Sequence, residues 1–251
     1  MDNLFRMVII NSKDCPTQVY SEVRSIFAPL GPTPQEMLPL TNSFFGALQE
    51  LKLARDRYLN RLKHVLEKGS PDFDHYLPEL KNLKNNSRPF RLELSDKELF
   101  VDFKAFLIFV KGVLDRLVPF YDRRFGSQMG TFSKRGQRML NFLDKNHRET
   151  PAQPLVDLLL SHKKQWIDRV IHLRDRLTHY SDVNEYVSFH CTASRESVAS
   201  LQHVADLIPP TLYFRDLSVP VSTYLSSIFD ESITFAKEFV AFCASKKTST
   251  P

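Results

Sequence analysis

From Leu40 to about Leu66, the apolar residues Phe44, Leu48, Leu51, Leu59, Leu62, Val65 and Leu66 recur mostly at three- and four-residue spacings, with charges on the other face. This spacing predicts an amphipathic helix, which Gly69-Ser70-Pro71 stops. The largely polar stretch from Pro71 to Pro89 reads as a connection. Ser95 as N-cap, with Glu98 three residues on, opens a second helix through Phe103, Phe106, Leu107, Phe109, Val110, Val113, Leu114 and Leu117. It is apolar around most of its circumference and is therefore expected to be central, with Pro119 kinking or ending it. After the punctuation of Gly126 to Gly130, Ser133 to about Asn146 predicts a shorter helix. Beyond Pro151 and Pro154 comes the strongest periodic signal, a long helix from Leu155 to about Tyr180. Its apolar side is Leu158, Leu159, Trp166, Ile167, Val170, Ile171, Leu173 and Leu177.

Past Asp182 the texture changes. Tyr186 to Thr192 is rich in β formers and partly alternates, as does Thr211 to Phe214 after Pro209-Pro210, which predicts a small antiparallel ribbon. Ser197 to Ile208 is ambiguous between strand and helix. From Val219 to Ala244 helical spacing returns through Tyr224, Leu225, Ile228, Phe229, Phe235, Ala236, Phe239, Val240 and Cys243. At the other end, Pro16 and Pro32-Thr33-Pro34 bracket a short helix around Val19 to Ala28. The expected fold is mainly α: a helical bundle with a small antiparallel β appendage after the long helix 155–180. Residues 40–182 form the main bundle, 183–216 a small β-containing insert and 217–245 a closing helix, all within one domain.

Composition sharpens this picture. Seven glycines against 20 phenylalanines in 251 residues leave few tight hairpins but many bulky anchors for helix packing. No apolar run approaches the roughly 18 to 20 residues of a membrane span, and the first residues carry no basic region followed by a hydrophobic core. A cytoplasmic protein without a membrane partner is expected. Cys15, Cys191 and Cys243 are odd in number and far apart, which suits small core residues with reduced thiols better than disulfides or a zinc site. The other histidines, His64, His75, His147, His162, His190 and His203, show no ligand spacing and read as surface or hydrogen-bonded residues. No Gly-rich phosphate loop, nucleophile elbow or dinucleotide fingerprint is present, and no cofactor is expected.

The net charge of +5 favours an anionic partner. Its excess is concentrated in Arg123-Arg124, in Lys134-Arg135-Gly136-Gln137-Arg138 and in Lys163-Lys164. Lys134, Arg135 and Arg138 are candidate phosphate contacts, with a solvated helix face as the plainer reading. Within the central helix, Lys104, Ile108, Lys111 and Asp115 share one stripe, and Lys111 can pair with Asp115 as a structural ion pair or as support for a ligand-facing site.

In the long helix, Asp168, His172, Asp175 and His179 follow steps of four, three and four and share a narrow face. The helix ends in Arg174-Asp175-Arg176-Leu177-Thr178-His179. With four residues between Arg174 and His179, this segment resembles the Arg-x4-6-His motif of HEPN-type helical proteins, and Asp175 matches the polar residue that commonly follows the arginine. The resemblance covers this helix and its helical context. It implies a motif late in a helical bundle, two copies meeting at a homodimer interface, and RNA or nucleotide as partner. In active members it implies RNA cleavage without a metal, with Arg174, Asp175 and His179 as the catalytic residues. The chemistry is coherent. A histidine can take the proton of a ribose 2′-hydroxyl while an always-charged guanidinium stabilises the phosphorane, and Asp175, one turn back, can orient the imidazole. Two other readings of the same surface stand beside it: a solvated helix end serving a non-enzymatic interaction module, and a metal site. For the latter, the stripe spans about 16 Å at 1.5 Å per residue, so ligands from another helix, such as Asp115, would be required.

Overall fold

The structure, a computed structural model, describes residues 25–27, 38–68, 90–92, 97–146, 153–179, 187–193, 207–214 and 217–244. For some of these, Lys134 and His179 among them, it describes the backbone alone. The fold is mainly α. Helix α1 (Leu38–Lys68) is followed by strand β1 (Phe90–Leu92) and helix α2 (Lys97–Phe125). A 3-10 turn (Ser133–Gly136) leads into α3 (Gln137–Asn146). Helix α4 (Gln153–His162), a π turn (Lys163–Ile167) and α5 (Asp168–His179) then run without a break in the helical backbone. Strands β2 (Val187–Ala193), β3 (Leu207–Phe214) and β4 (Leu217–Pro220) precede the last helix, α6 (Val221–Ala244). No helix among the described residues is long and apolar enough to cross a membrane.

The chain divides into two compact units, one of Met1–Leu53, Leu107–Leu173 and Ile228–Pro251, the other of Ala54–Phe106 and Arg174–Ser227. The first is a helical unit with a phenylalanine-rich core. Phe44, Leu48 and Leu51 of α1, Leu107, Val110, Val113, Leu114, Leu117 and Tyr121 of α2, and Phe229, Phe235 and Phe239 of α6 are all essentially fully buried. Phe27, from the short helical stretch 25–27, sits edge-on to Phe44 with ring centroids 5.5 Å apart and lies 5.4 Å from Phe120. The phenylalanines forecast as helix-packing anchors therefore occupy the places where helices meet.

Pro119 does not end α2, which continues to Phe125. Proline removes one backbone hydrogen bond and crowds the preceding turn, at a cost of about 3 kcal/mol. Its neighbours Leu117, Val118, Phe120 and Tyr121 are all buried, and at roughly 1.5–3 kcal/mol per buried side chain that packing outweighs the loss. The helix instead stops at Gly126, whose φ of 68° is the left-handed conformation of a helix C′ residue. The Ser127 amide closes the end by donating to the Asp122 carbonyl at 3.2 Å.

The long helix also departs from the forecast. It is described over 153–179, with Tyr180 outside the described residues, and residues 163–167 form a π turn. Pro154 lies in its first turn, where a missing N–H costs nothing. The π turn takes in one residue more than an α-helix would, which brings Lys163 onto Asp168, five residues on, at 2.6 Å.

The second unit contains the sheet, antiparallel in the order β1-β2-β3-β4. Its register explains how β3 accommodates Pro209-Pro210. Ser188 pairs with Thr211 and His190 with Ile208, so the two prolines lie opposite the single residue Phe189. This is a β-bulge, where the ladder does not call on their absent N–H groups. On the other side, pairing with β4 begins only at Thr211, opposite Pro220. Two boundaries are corrected: residues 217–220 form β4, so the closing helix begins at Val221 rather than at 217, and β1 joins the sheet from the far end of the polar connection. In the helical part of this unit, Tyr58 of α1 lies 6.5 Å from Phe103 of α2, and Arg57 pairs with the buried Asp102 at 3.2 Å. The expected N-cap Ser95 and the ambiguous stretch 197–206 lie outside the described residues.

Candidate functional site

Arg174 lies in the last turns of α5 and is half-buried, its side chain 22% exposed. Its Nη1 pairs with Asp175 Oδ1 at 3.0 Å, while its Nε is buried without a hydrogen-bond partner among the described residues. The next turn is tied back on itself, because Thr178 Oγ1 donates to the Arg174 carbonyl at 2.6 Å. His179 is the last residue of α5, five positions beyond Arg174, and its side chain lies outside the described residues. Among the described residues the partner of Asp175 is Arg174, and the expected contact of Asp175 with the His179 imidazole lies outside them. Adjacent helical residues do not face each other, and the pair forms because the long arginine side chain can fold back along the helix.

The other members of the acidic and histidine stripe have separate surroundings. Asp168 is paired with Lys163, and His172 is exposed. Asp115, the candidate ligand from another helix, is occupied: Lys111 Nζ donates to its Oδ1, and so does the Phe132 amide at 2.7 Å. The Lys111–Asp115 pair expected from the four-residue spacing is therefore formed, and it anchors a loop. Among the described residues no group of three or more histidine, cysteine or acidic side chains is arranged to hold a metal ion.

Asp122, two turns further along α2, does the same for the start of that loop. Its carboxylate accepts the Ser127 hydroxyl, the Met129 amide at 2.9 Å and the Gly130 amide at 3.2 Å. Together Asp115 and Asp122 fix 127–132 against α2 and deliver the chain into the basic 3-10 turn. There Arg135 has a φ of 56°, the only positive φ outside glycine among the described residues, and Gly136 follows at 80°. A Cβ on Gly136 would come within 2.9 Å of the buried Phe132 ring, so a side chain at 136 is opposed by both φ and space. Arg135 is half-exposed and Arg138, in the first turn of α3, is exposed. The side chain of Lys134 lies outside the described residues. Cations at a helix start oppose the helix dipole, so the turn concentrates positive potential where an anion would relieve it. Asp122→Ala should destabilise the protein by about 1–3 kcal/mol, because two amides and a hydroxyl lose their acceptor in a region water only partly reaches. Asp122→Asn, which keeps one oxygen, should cost less; urea unfolding of the two variants checks the order.

A cluster that the helical spacing did not single out surrounds His162, at the end of α4 and with only 7% of its side chain exposed. Trp166 Nε1 donates to His162 Nδ1 at 2.9 Å, and His162 Nε2 lies 3.1 Å from Glu238 Oε2 of α6. The Phe235 ring lies against the imidazole at 5.1 Å. The available signal was a break in the apolar stripe of the long helix over Ser161 to Gln165, with a histidine in the core-facing place. Elsewhere in this unit burial dominates the titratable groups. It pushes the Cys243 thiol up to about 12, with the Arg124 guanidinium working against the shift. Cys243 is therefore a neutral, weakly nucleophilic thiol at physiological pH. Burial raises Tyr121 as well, reinforced by the Asp122 carboxylate and, once it ionises at high pH, by the Cys243 thiolate, and the Tyr121 hydroxyl donates to the Met139 carbonyl at 3.1 Å.

Comparisons with protein-family models, curated proteins and solved structures give no match.

Proposed function

We propose that this protein is a HEPN-like RNA- or nucleotide-binding protein that cleaves RNA without a metal, using Arg174 and His179 at the end of α5. The observation that carries this reading is the state of Arg174. It is a half-buried guanidinium, pinned on one side by Asp175, with its Nε buried and without a partner among the described residues. A fixed, always-charged guanidinium with part of its side chain exposed is suited to a phosphate oxygen. Lys134, the half-exposed Arg135 and the exposed Arg138 at the start of α3 belong to the other unit and are candidate phosphate contacts in their own right.

In this mechanism the His179 imidazole removes the proton from a ribose 2′-hydroxyl, and the 2′-oxygen attacks the neighbouring phosphorus. Arg174 stabilises the charge on the phosphorane. The bond to the 5′-oxygen breaks, that oxygen takes a proton from water, and His179 returns its own proton to solvent. The products are a 2′,3′-cyclic phosphate and a 5′-hydroxyl end. A homodimer pairing two such motifs belongs to the same proposal.

A second reading is favoured by the Arg174–Asp175 pair itself, since a local ion pair at a helix end is also what a non-enzymatic helical interaction module would carry. Incubating labelled RNA with wild type and His179→Ala in EDTA separates the two. Cleavage to cyclic-phosphate ends that persists in chelator and is lost in the variant is the expected result. Equal activity in both proteins would defeat the assignment, and so would RNA left intact. Cleavage only on adding a divalent ion would transfer the chemistry to the stripe of Asp168, His172, Asp175 and His179.

A further inference from the structure

We propose that His162, Trp166, Glu231 and Glu238 form a proton-operated latch between α4, the π turn and α6. An indole N–H can only donate, so Trp166 requires His162 Nδ1 to present a lone pair, and the ring must carry its proton on Nε2, where it donates to Glu238. The partners thus fix one neutral tautomer. A second carboxylate waits on the other side: Glu231 Oε2 lies 3.7 Å from Nδ1, the nitrogen already occupied by the indole.

Protonation cannot leave this arrangement intact. A proton added to Nδ1 would face the Trp166 N–H, donor against donor, at 2.9 Å. The imidazolium therefore keeps Glu238, releases Trp166 and turns its new N–H to Glu231. Its two new ionic partners both belong to α6, so acidification exchanges a contact within the α4–π segment for a second contact to α6. Trp166 is 3% exposed and lies inside the π turn, a rare irregularity of a kind frequent at functional sites. Loss of its partner therefore falls on the one irregular turn of this helix. The carboxylates are 38% and 51% exposed, which gives the buried ring access to protons through its partners.

Other charged groups lie on the elements packed against the latch. Lys163 in the π turn is held by Asp168 at 2.6 Å. The 3-10 turn packed against the π turn brings Arg135, with the Lys134 side chain outside the described residues. Helix α3, packed against α4, carries Arg138, Asp144 and Lys145, all exposed. Glu231 and Glu238 are the ionic partners found for the imidazole among the described residues.

Trp166 is the sole tryptophan of the chain, so its emission and its single indole N–H resonance report on the latch directly. On acidifying the full chain over the range in which the far-ultraviolet helical signal stays constant, both signals should move together in one single-proton step. Glutamine at 162 can accept from the indole and donate to Glu238 but does not titrate, so His162→Gln should abolish the step. Glu231→Gln removes the anion that receives the new N–H and should displace the step to lower pH. Nitrogen chemical shifts of the His162 ring in the wild type, which need no variant to fold, should show the Nε2–H tautomer at the upper end and titrate in parallel with the indole. A wild-type indole that does not respond, a His162→Gln step equal to that of the wild type, or a ring that titrates without the indole would each overturn the latch.

Discussion

Phe235→Ala should lower the unfolding free energy by about 3–5 kcal/mol, the upper range for truncating a core side chain. Phe235 is fully buried and lies against four aromatic rings. Phe132 of the stapled loop stands edge-on at 6.3 Å, His162 of α4 lies at 5.1 Å, Trp166 of the π turn at 6.3 Å, and Phe239 of α6 at 5.4 Å. Each such pair contributes about 0.5–1.5 kcal/mol beyond the area it buries, and alanine would remove all of them and leave a cavity. The walls cannot readily collapse into it, because Phe132 is tethered through its amide to Asp115 and His162 through its ring to Glu238. Chemical denaturation should show a lower midpoint with little change in slope. Phe235→Leu, which refills most of the volume, should recover more than half of the loss. A loss below about 1 kcal/mol for alanine would mean that the site relaxes, contrary to this tethering.

The same cluster shows where the amino-acid sequence was and was not legible. Five helices were readable with their approximate ends because their apolar residues recur at helical spacing and their cores are built from those residues, as with Phe44, Leu48 and Leu51 in α1. The π turn was not, because a one-residue insertion leaves the apolar residues on either side, Leu159 and Trp166 to Ile167, individually compatible with an unbroken helix. Its trace was an absence, the polar run Ser161 to Gln165, with His162 filling the buried place. Strand β1 could not be read from three residues, since what makes Phe90–Leu92 a strand is pairing with Cys191 to Ala193, about a hundred positions away. Pro119 and Pro209-Pro210 were read as breaks from local chemistry, whereas tertiary packing carries one through a helix and a bulge admits the others to a strand. In the candidate site the Lys111–Asp115 pair was legible because four residues is one helical turn. The anchoring of 127–132 by Asp122 was not, since it depends on how a loop folds back.

On the proposed reading, Arg174→Lys is a sharper probe of the reaction than Arg174→Ala. Both remove the fork, but lysine keeps the positive charge, so it separates attraction for phosphate from stabilisation of the transition state. Arg174 Nη1 is held by Asp175 at 3.0 Å, Nε is buried, and on this reading Nη2 is the nitrogen left to meet a phosphate oxygen. A single ammonium cannot keep Asp175 and also meet the phosphorane at the distance the fork allows. RNA affinity should fall only modestly, since the count of neutralising charges is unchanged. The cleavage rate at saturating RNA should fall by on the order of 10²–10³-fold, the usual consequence of losing one fixed donor to a developing oxyanion. Arg174→Ala should lose rate and affinity together. Because Arg174 is half-buried and its only described ion pair is to a side chain 44% exposed, neither change should unfold α5, which circular dichroism checks. If Arg174→Lys cleaves as fast as wild type, the fork has no part in the transition state, and Arg174 is left as an electrostatic contact for RNA or as the local ion pair of an interaction module.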